Sequence, residues 1–151
     1  MTDGRLFPEV IETERLRLER LDESLTVMDQ YDHVKAGAPH IDEVTEHMTW
    51  DPHETPDETR AFLEGVTEGW ENGERAEYAV VPRDGEPRAG EHAGSAGIGI
   101  DWDRRTGTLG MWLRKPFWGR GYSGERVAAH IHLAFDRLDL EMVAVTHEVG
   151  N

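Results

Sequence analysis

Cysteine is absent from this 151-residue chain. Without it there is no disulfide framework, no thiolate nucleophile and no cysteine-based zinc site. Lysine is almost absent too, for Lys35 and Lys115 are the only lysines among 16 basic residues. No apolar run approaches the length that spans a membrane, and Met1-Thr2-Asp3-Gly4 lacks the basic-then-apolar opening of a signal peptide. The expected setting is the cytoplasm, with no membrane partner. Internal repeats and low-complexity tracts are likewise missing. Positive charge is in short supply overall: 31 acids face those 16 bases, for a net charge of −15. Such a surface repels phosphate, so neither nucleic acid nor anionic lipid is an expected partner.

What remains describes a folded protein. Hydrophobic residues make up 37% of the chain and five tryptophans are present, enough for a real core and too many for a disordered chain. The length predicts a single domain over residues 1–151. High acidity with arginine in place of lysine resembles proteins of salt-loving archaea. In molar salt the Debye length falls to about 3 Å, and crowded carboxylates no longer repel strongly.

The chain is organised around residues 109–138, LGMWLRKPFWGRGYSGERVAAHIHLAFDRL. Leu109, Met111 and Leu113 alternate with Gly110 and Trp112, the pattern of a buried strand, and Pro116 ends it because it has no N–H for a ladder. Trp118-Gly119-Arg120-Gly121-Tyr122-Ser123 then reads as a turn. Val127, Ile131, Ala134, Phe135 and Leu138 follow at helical spacing, which predicts a helix that buries them and leaves Arg126, His130 and Arg137 off the stripe. A glycine turn opening a helix gathers free N–H groups and a positive dipole end at one point, which suits a phosphate. Residues 104–126 carry six cations against the single acid Glu125, an island of positive charge in an acidic protein. A lone G-x-G is still a weak signal, since tight strand-to-helix turns use glycine for steric reasons alone.

WGRGYSGE resembles the coenzyme A pyrophosphate loop of the GCN5-related N-acetyltransferases (GNAT), in particular the branch that acetylates ribosomal proteins. Trp118, Gly119, Arg120, Gly121, Tyr122 and Glu125 match its W-G-x-G-Y-A-T-E-A pattern, while Ser123, Gly124 and Arg126 stand where Ala, Thr and Ala are usual. The N-terminal run IETERLRLERLDES is similar to the first strand of the same branch. The resemblance implies an α/β (α+β) GNAT fold, with a mixed, mostly antiparallel twisted sheet, helices on both faces and the order β-α-α-β-β-β-α-β. It also implies a further helix and two strands beyond Asn151, so that the fifth strand is expected to be a sheet edge and a route to self-association.

The other elements read in order. Glu12 to Leu21 alternates as a first strand, and a helix starts at Asp22-Glu23-Ser24. Residues 40–56 are polar and poorly determined; His33, His40, His47 and His53 lie in or near them without a metal-ligand spacing, so no metal is expected. Thr55-Pro56-Asp57-Glu58 starts a helix that buries Phe62, Leu63, Val66 and Trp70 and ends at Asn72-Gly73. Strands are expected over 77–81 and 94–100, and a fifth over 142–146. Asp101-Trp102-Asp103 reads either as an amine-binding pocket with a cation–π wall or, in preference, as the start of the turn at 104–107.

For the chemistry, the resemblance implies an acetyl-CoA-dependent N-acetyltransferase. The amine attacks the thioester directly and needs a base, and the developing oxyanion needs an N–H donor. That donor maps to the fourth strand near Trp112 and Leu113. The cofactor contacts implied are Trp112, Leu113, Arg114, Trp118, Gly119, Arg120, Gly121, Tyr122, Ser123, Gly124 and Asn151. Leu113 and Glu148 are the candidate catalytic positions, with His147 and Asp101 also at strand ends. Trp50, Asp101 and Trp102 are candidates for the acceptor side, and the acceptor is a protein N-terminus or a small amine. An inactive CoA-binding or interaction module is the alternative.

Overall fold

The alternation of Leu16 and Leu18, both fully buried, with exposed Arg17 makes a half-covered strand, and the sheet grows from it. The computed structural model describes residues 5–145. Its six strands lie in the order β1-β2-β3-β4-β5-β6. They are β1 Val10–Glu12, β2 Leu16–Arg20, β3 Arg75–Pro82, β4 Gly94–Asp101, β5 Thr106–Leu113 and β6 Met142–Val145. All neighbours pair antiparallel except β5 and β6, which are parallel, so the mixed, mostly antiparallel GNAT sheet is borne out.

The expected first strand is in fact two. The Thr13 N–H donates to the Leu16 carbonyl at 2.8 Å, which folds the chain back and lets β1 pair with β2. Helices α1 Leu21–Ser24, α2 Val27–Val34, α3 Ile41–Thr45 and α4 Pro56–Asn72 follow. Helix α2 opens on a capping box between Thr26 and Asp29. Thr55 stands at the cap position of α4 without a side-chain capping bond, and the chain leaves that helix through Gly73 at φ 69°. The β4–β5 hairpin is tighter than the sequence suggests, with Asp101 already opposite Thr106.

Register separates the two faces of the sheet. Leu18 sits opposite Val80, Tyr78 opposite Ala96, and Ile98 opposite Leu109, so these side chains share one face and form the main core. Helix α5, Tyr122–His132, and Leu138 and Leu140 after it pack into the same core. Ser95 and Trp112, also opposite one another, lie on the other face, where Trp112 clusters with Val34 of α2 and Val44 of α3.

Helix α5 is rotated from the expected orientation. Ile131 and Phe135 are 37% and 43% exposed, whereas Arg126 and His130 are buried. The reason lies in the sheet beneath. Gly97 and Gly110 face each other across β4 and β5, and the Arg126 guanidinium donates to both of their carbonyls. His130 packs on Tyr78 with ring centroids 5.4 Å apart. Burial and the neighbouring Arg126 charge push the His130 imidazole down to about 3, so it is neutral at pH 7. A π-helical turn over Leu133–Arg137 then shifts the register again.

Candidate functional site

Strand β5 ends at Leu113, and Pro116 sits in a short 3₁₀ turn, Lys115–Phe117. The indole N–H of Trp118 donates to the Leu113 carbonyl at 2.8 Å, which ties the glycine turn to the strand end. Gly119 and Gly121 have φ of +75° and +80°, backbone angles a side chain strains to adopt. A Cβ on Gly119 would meet nothing within 4 Å, so the turn opens outward there; one on Gly121 would come within 3.3 Å of Arg15 Nη2. Among the described residues no side chain caps the first turn of α5, so its amides remain available.

The turn is held from below. Glu125, in the first turn of α5, accepts bonds from the Thr13 hydroxyl, the Arg15 amide at 2.8 Å and Arg15 Nε at 2.7 Å. The Arg15 guanidinium also donates to the Arg120 carbonyl at 2.8 Å. Burial alone would raise the Glu125 carboxyl, but these donors outweigh it and hold the group below its ordinary value. Arg88, Arg114 and Arg120 ring the buried Phe117, each guanidinium 5.4–5.5 Å from its centroid. Burial, with the adjacent Arg88 charge, lowers the Arg114 guanidinium.

The pairing of β5 decides which of its amides are free. The Arg114 N–H donates to the Ala93 carbonyl, and hydrogen-bonded pairs alternate along an antiparallel ladder. Trp112 therefore bonds Ser95, while Met111 and Leu113 present their amides to the opposite edge. Among the described residues β6 reaches along that edge only to Leu109. Of the two expected donors, Leu113 faces the opening and Trp112 does not.

The Trp112 side chain lies instead on the far side of the sheet from α5. Its ring packs on Trp50 at 5.5 Å and on His92 at 6.1 Å. A cleft there is lined by Asp32, His33, His40, Trp112, Arg114 and Pro116. Trp50 thus stands behind the wall of this cleft. Asp101 and Trp102 are not brought to it. Gly94 pairs with Leu113 at one end of the hairpin and Asp101 with Thr106 at the other, roughly 20 Å away at 3.3 Å per residue. Asp101 accepts the Arg104 amide at 3.1 Å and closes its own turn, and the Trp102 indole donates to the Gly73 carbonyl at 2.7 Å, tying that turn to the end of α4. Glu148 and Asn151, with His147, lie outside the described residues. Ser123 and Gly124 occupy the first turn of α5 as expected.

Sequence reasoning missed Arg15, Thr13 and Arg88, which come from segments distant along the chain. It also missed the buried polar group beneath α2: Gln30, His92 and Ser95 each hold a side-chain atom without a hydrogen-bond partner among the described residues. Among the described residues no three His, Cys, Asp or Glu side chains gather as a metal site, and no helix is long and apolar enough to cross a membrane.

Comparison with solved structures gives the same architecture. A candidate acetyltransferase from T. thermophilus is 27% identical, with a TM-score of 0.68 over 96% of this chain and 70% of that one. The ribosomal L7/L12 alpha-N-protein acetyltransferase RimL, solved with coenzyme A, is 19% identical, with a TM-score of 0.76 over 95% of this chain and 77% of its own. The microcin C7 self-immunity acetyltransferase MccE, solved with acetyl-CoA and AMP, is 17% identical, with a TM-score of 0.74 over 99% and 79% of the two chains. No curated protein matches the sequence significantly. A family model described as the acetyltransferase (GNAT) domain matches residues 15–151, and with that extent of match the chain belongs to the GNAT family of N-acetyltransferases.

Proposed function

We propose that residues 1–151 act as one domain that transfers the acetyl group of acetyl-CoA to a primary amine, either a protein N-terminus such as that of a ribosomal protein or a small amine. The observation that carries the reading is the glycine turn. Two glycines at positive φ open onto the start of an 11-residue helix, which no side chain caps among the described residues. Beside it runs a strand edge whose amides at Met111 and Leu113 have no ladder partner among those residues. RimL and MccE, which share the fold, were solved with coenzyme A and acetyl-CoA.

The residues fit such a ligand. A side chain on Gly119 would fill the open cradle that a pyrophosphate needs, and a second anion meets the arginines around Phe117. Gly119 to Gly124 would hold the pyrophosphate through backbone amides and the helix dipole. The outward backbone of Met111 and Leu113 would take the extended arm as an added strand. Bound acetyl-CoA supplies an activated acyl group on a good leaving thiol. Leu113 N–H would donate to the oxygen on which charge develops, a contact that strengthens as the amine attacks. No covalent enzyme intermediate is needed, in keeping with a chain that lacks cysteine.

The acidic, lysine-poor surface supports work at high salt and attraction of cationic acceptors. β6, with Met142 61% exposed and Val145 46% exposed, supports self-association, which light scattering in high salt will read. The test of function is thiol release from acetyl-CoA with peptides beginning with Ser or Ala, polyamines and aminoglycosides. Release with at least one amine is expected. CoA binding without turnover on any of them would identify a binding module instead, and absence of CoA binding would end the reading.

A further inference from the structure

Next to the cleft on the Trp112 side of the sheet, buried packing leaves polar side-chain atoms without a partner among the described residues. His92 is only 8% exposed, yet neither of its ring nitrogens has a partner among the described residues. Ser95 Oγ, on the strand beside Trp112, and Gln30 Oε1, on the buried side of α2, are also without one. A buried polar atom left unpaired costs about 1–3 kcal/mol, so the His92 ring calls for a polar occupant such as water. His33 connects His92 to the cleft. It lines the cleft with Trp112 and Arg114, and its ring stacks on His92 at a centroid distance of 5.1 Å.

We propose that His33 is the base that takes the proton of the acceptor amine, with His92 behind it as a positioning residue. The inference rests on the acetyltransferase reading above. Trp112 supplies the geometry. Its backbone lies in the strand whose next amide, Leu113, faces the edge where the thioester would lie, and its side chain forms the cleft wall with His33. An amine entering the cleft would meet the His33 imidazole beside the Trp112 side chain that β5 sends into its wall.

The electrostatics suit the task. Burial, and then the Arg114 charge, lower the His33 imidazole, against the opposing pull of Asp32, Asp29 and Glu91. Burial pushes His92 down to about 3, with His33 and Arg114 acting in the same direction and Asp29 against them. At pH 7 both rings are therefore neutral, and His33 has a free nitrogen to accept with. In the step itself an ammonium N–H bond breaks and the proton moves to the His33 ring. The freed lone pair forms the C–N bond as the C–S bond breaks, the nitrogen releases its second proton to solvent to leave the neutral amide, and the departing thiolate takes a proton from solvent. His33 then returns its proton to water in the cleft. His92 stacks against the ring and fixes its orientation without competing for the proton.

The test is His33→Gln, assayed with acetyl-CoA and the best amine of the panel above. A drop in kcat of about 100-fold is expected, the ordinary contribution of a positioned base. KM for acetyl-CoA should stay within twofold, and the acidic limb of the kcat/KM profile should vanish. His92→Gln should keep that limb but displace it upward, because a smaller, more polar neighbour admits water to His33. NMR of ¹³C-histidine-labelled parent protein gives a readout independent of the variants: the His33 ring signal should move when acetyl-CoA and the amine are both added. Full activity with an intact acidic limb in His33→Gln overturns the proposal and leaves the acetyltransferase reading standing. So does an unmoved His33 signal in a turning-over parent, whether or not the variant folds. A parent that turns over no amine overturns both.

Discussion

The two ends of the β4–β5 hairpin use the same kinds of residue and put them to opposite use. At the closed end, Asp101 caps its own turn, Trp102 bonds to Gly73, and Arg105 is braced on Asp139 and Glu141. At the open end, Trp118 bonds back to Leu113, and Gly119 leaves the space beside it open. An acid, an indole and arginines occur at both ends, so composition cannot separate them. The backbone can: the open end leads into a long helix with an uncapped start, while the closed end leads straight back into a paired strand. Function is assigned to the end that leaves backbone amides without partners among the described residues.

The sharpest way to break the comparison is to fill the open end. Val at Gly121 must adopt φ +80°, which costs an L-residue about 1–2 kcal/mol and a β-branched one more, and its Cβ would press on Arg15. CoA affinity should fall by more than 100-fold in Gly121→Val while the circular dichroism spectrum stays that of the parent. Calorimetry that finds parent-like affinity in the folded variant would mean that the turn is steric punctuation, as at the closed end.

Next in size is the clamp beneath the turn. Glu125→Ala removes the acceptor that gathers Thr13 and Arg15, and charged hydrogen bonds of this kind contribute about 1.5–3 kcal/mol. A lower melting temperature is expected, with CoA affinity reduced roughly tenfold as the turn loosens. The pH dependence has a definite sign. The Glu125 carboxyl is held below its unfolded value of 4.5, so its contribution is full above that pH and is lost as pH falls through the lower, folded value. His92 and His130 act in the same direction over a wider range. They stay neutral when folded down to about pH 3, so the unfolded chain gains protons first below pH 6.5 and stability declines on acidification. Acid melts of the parent and of Glu125→Ala should converge at low pH; curves that stay parallel would show that the carboxylate is not the cause.

How far the sequence reaches is visible in the same residues. The strand, turn and helix of residues 109–138 were legible because their signals are local: alternation, proline, glycine, then a helical period. The rotation of α5 was not. Ile131 and Phe135 carry the apolar stripe, and only the facing glycines at 97 and 110, on two other strands, explain why Arg126 is buried in their place. The clamp escaped for a similar reason. Glu125 belongs to a recognisable loop, but its partners lie 110 and 112 residues earlier. Asp101 and Trp102 were legible in part, since the turn preferred from the sequence is there and closed by Asp101, while the amine-pocket alternative is not brought to the cleft.

A smaller effect is expected at the closed end. Trp102→Phe removes one indole bond at a partly exposed site, so about 1 kcal/mol of stability should be lost and CoA affinity should not change. Trp118→Phe is its counterpart. There the bond to Leu113 holds the turn beside the strand edge, so affinity should fall several-fold with little change in melting temperature. If both variants behaved alike, the distinction between the two ends would not stand.

Salt acts on the whole molecule and still separates binding from folding. With 31 acids against 16 bases, self-repulsion weakens the compact state until it is screened, and in molar salt the screening length is about 3 Å. Raising KCl from about 0.1 to about 3 M should therefore lift the melting temperature. The open end answers in the other direction. Arg88, Arg114 and Arg120 share Phe117 within 5.5 Å, and their attraction for a phosphate passes partly through solvent, where salt screens it. Backbone amides at Gly119 to Gly124 act at contact distance and lose little. CoA affinity should fall only several-fold over that range, and dephospho-CoA, with one phosphate fewer for the arginines, should show the shallower dependence. A melting temperature that falls with salt would remove the argument for a high-salt setting. An identical salt slope for the two ligands would take the arginines out of phosphate binding and leave the glycine turn to carry it alone.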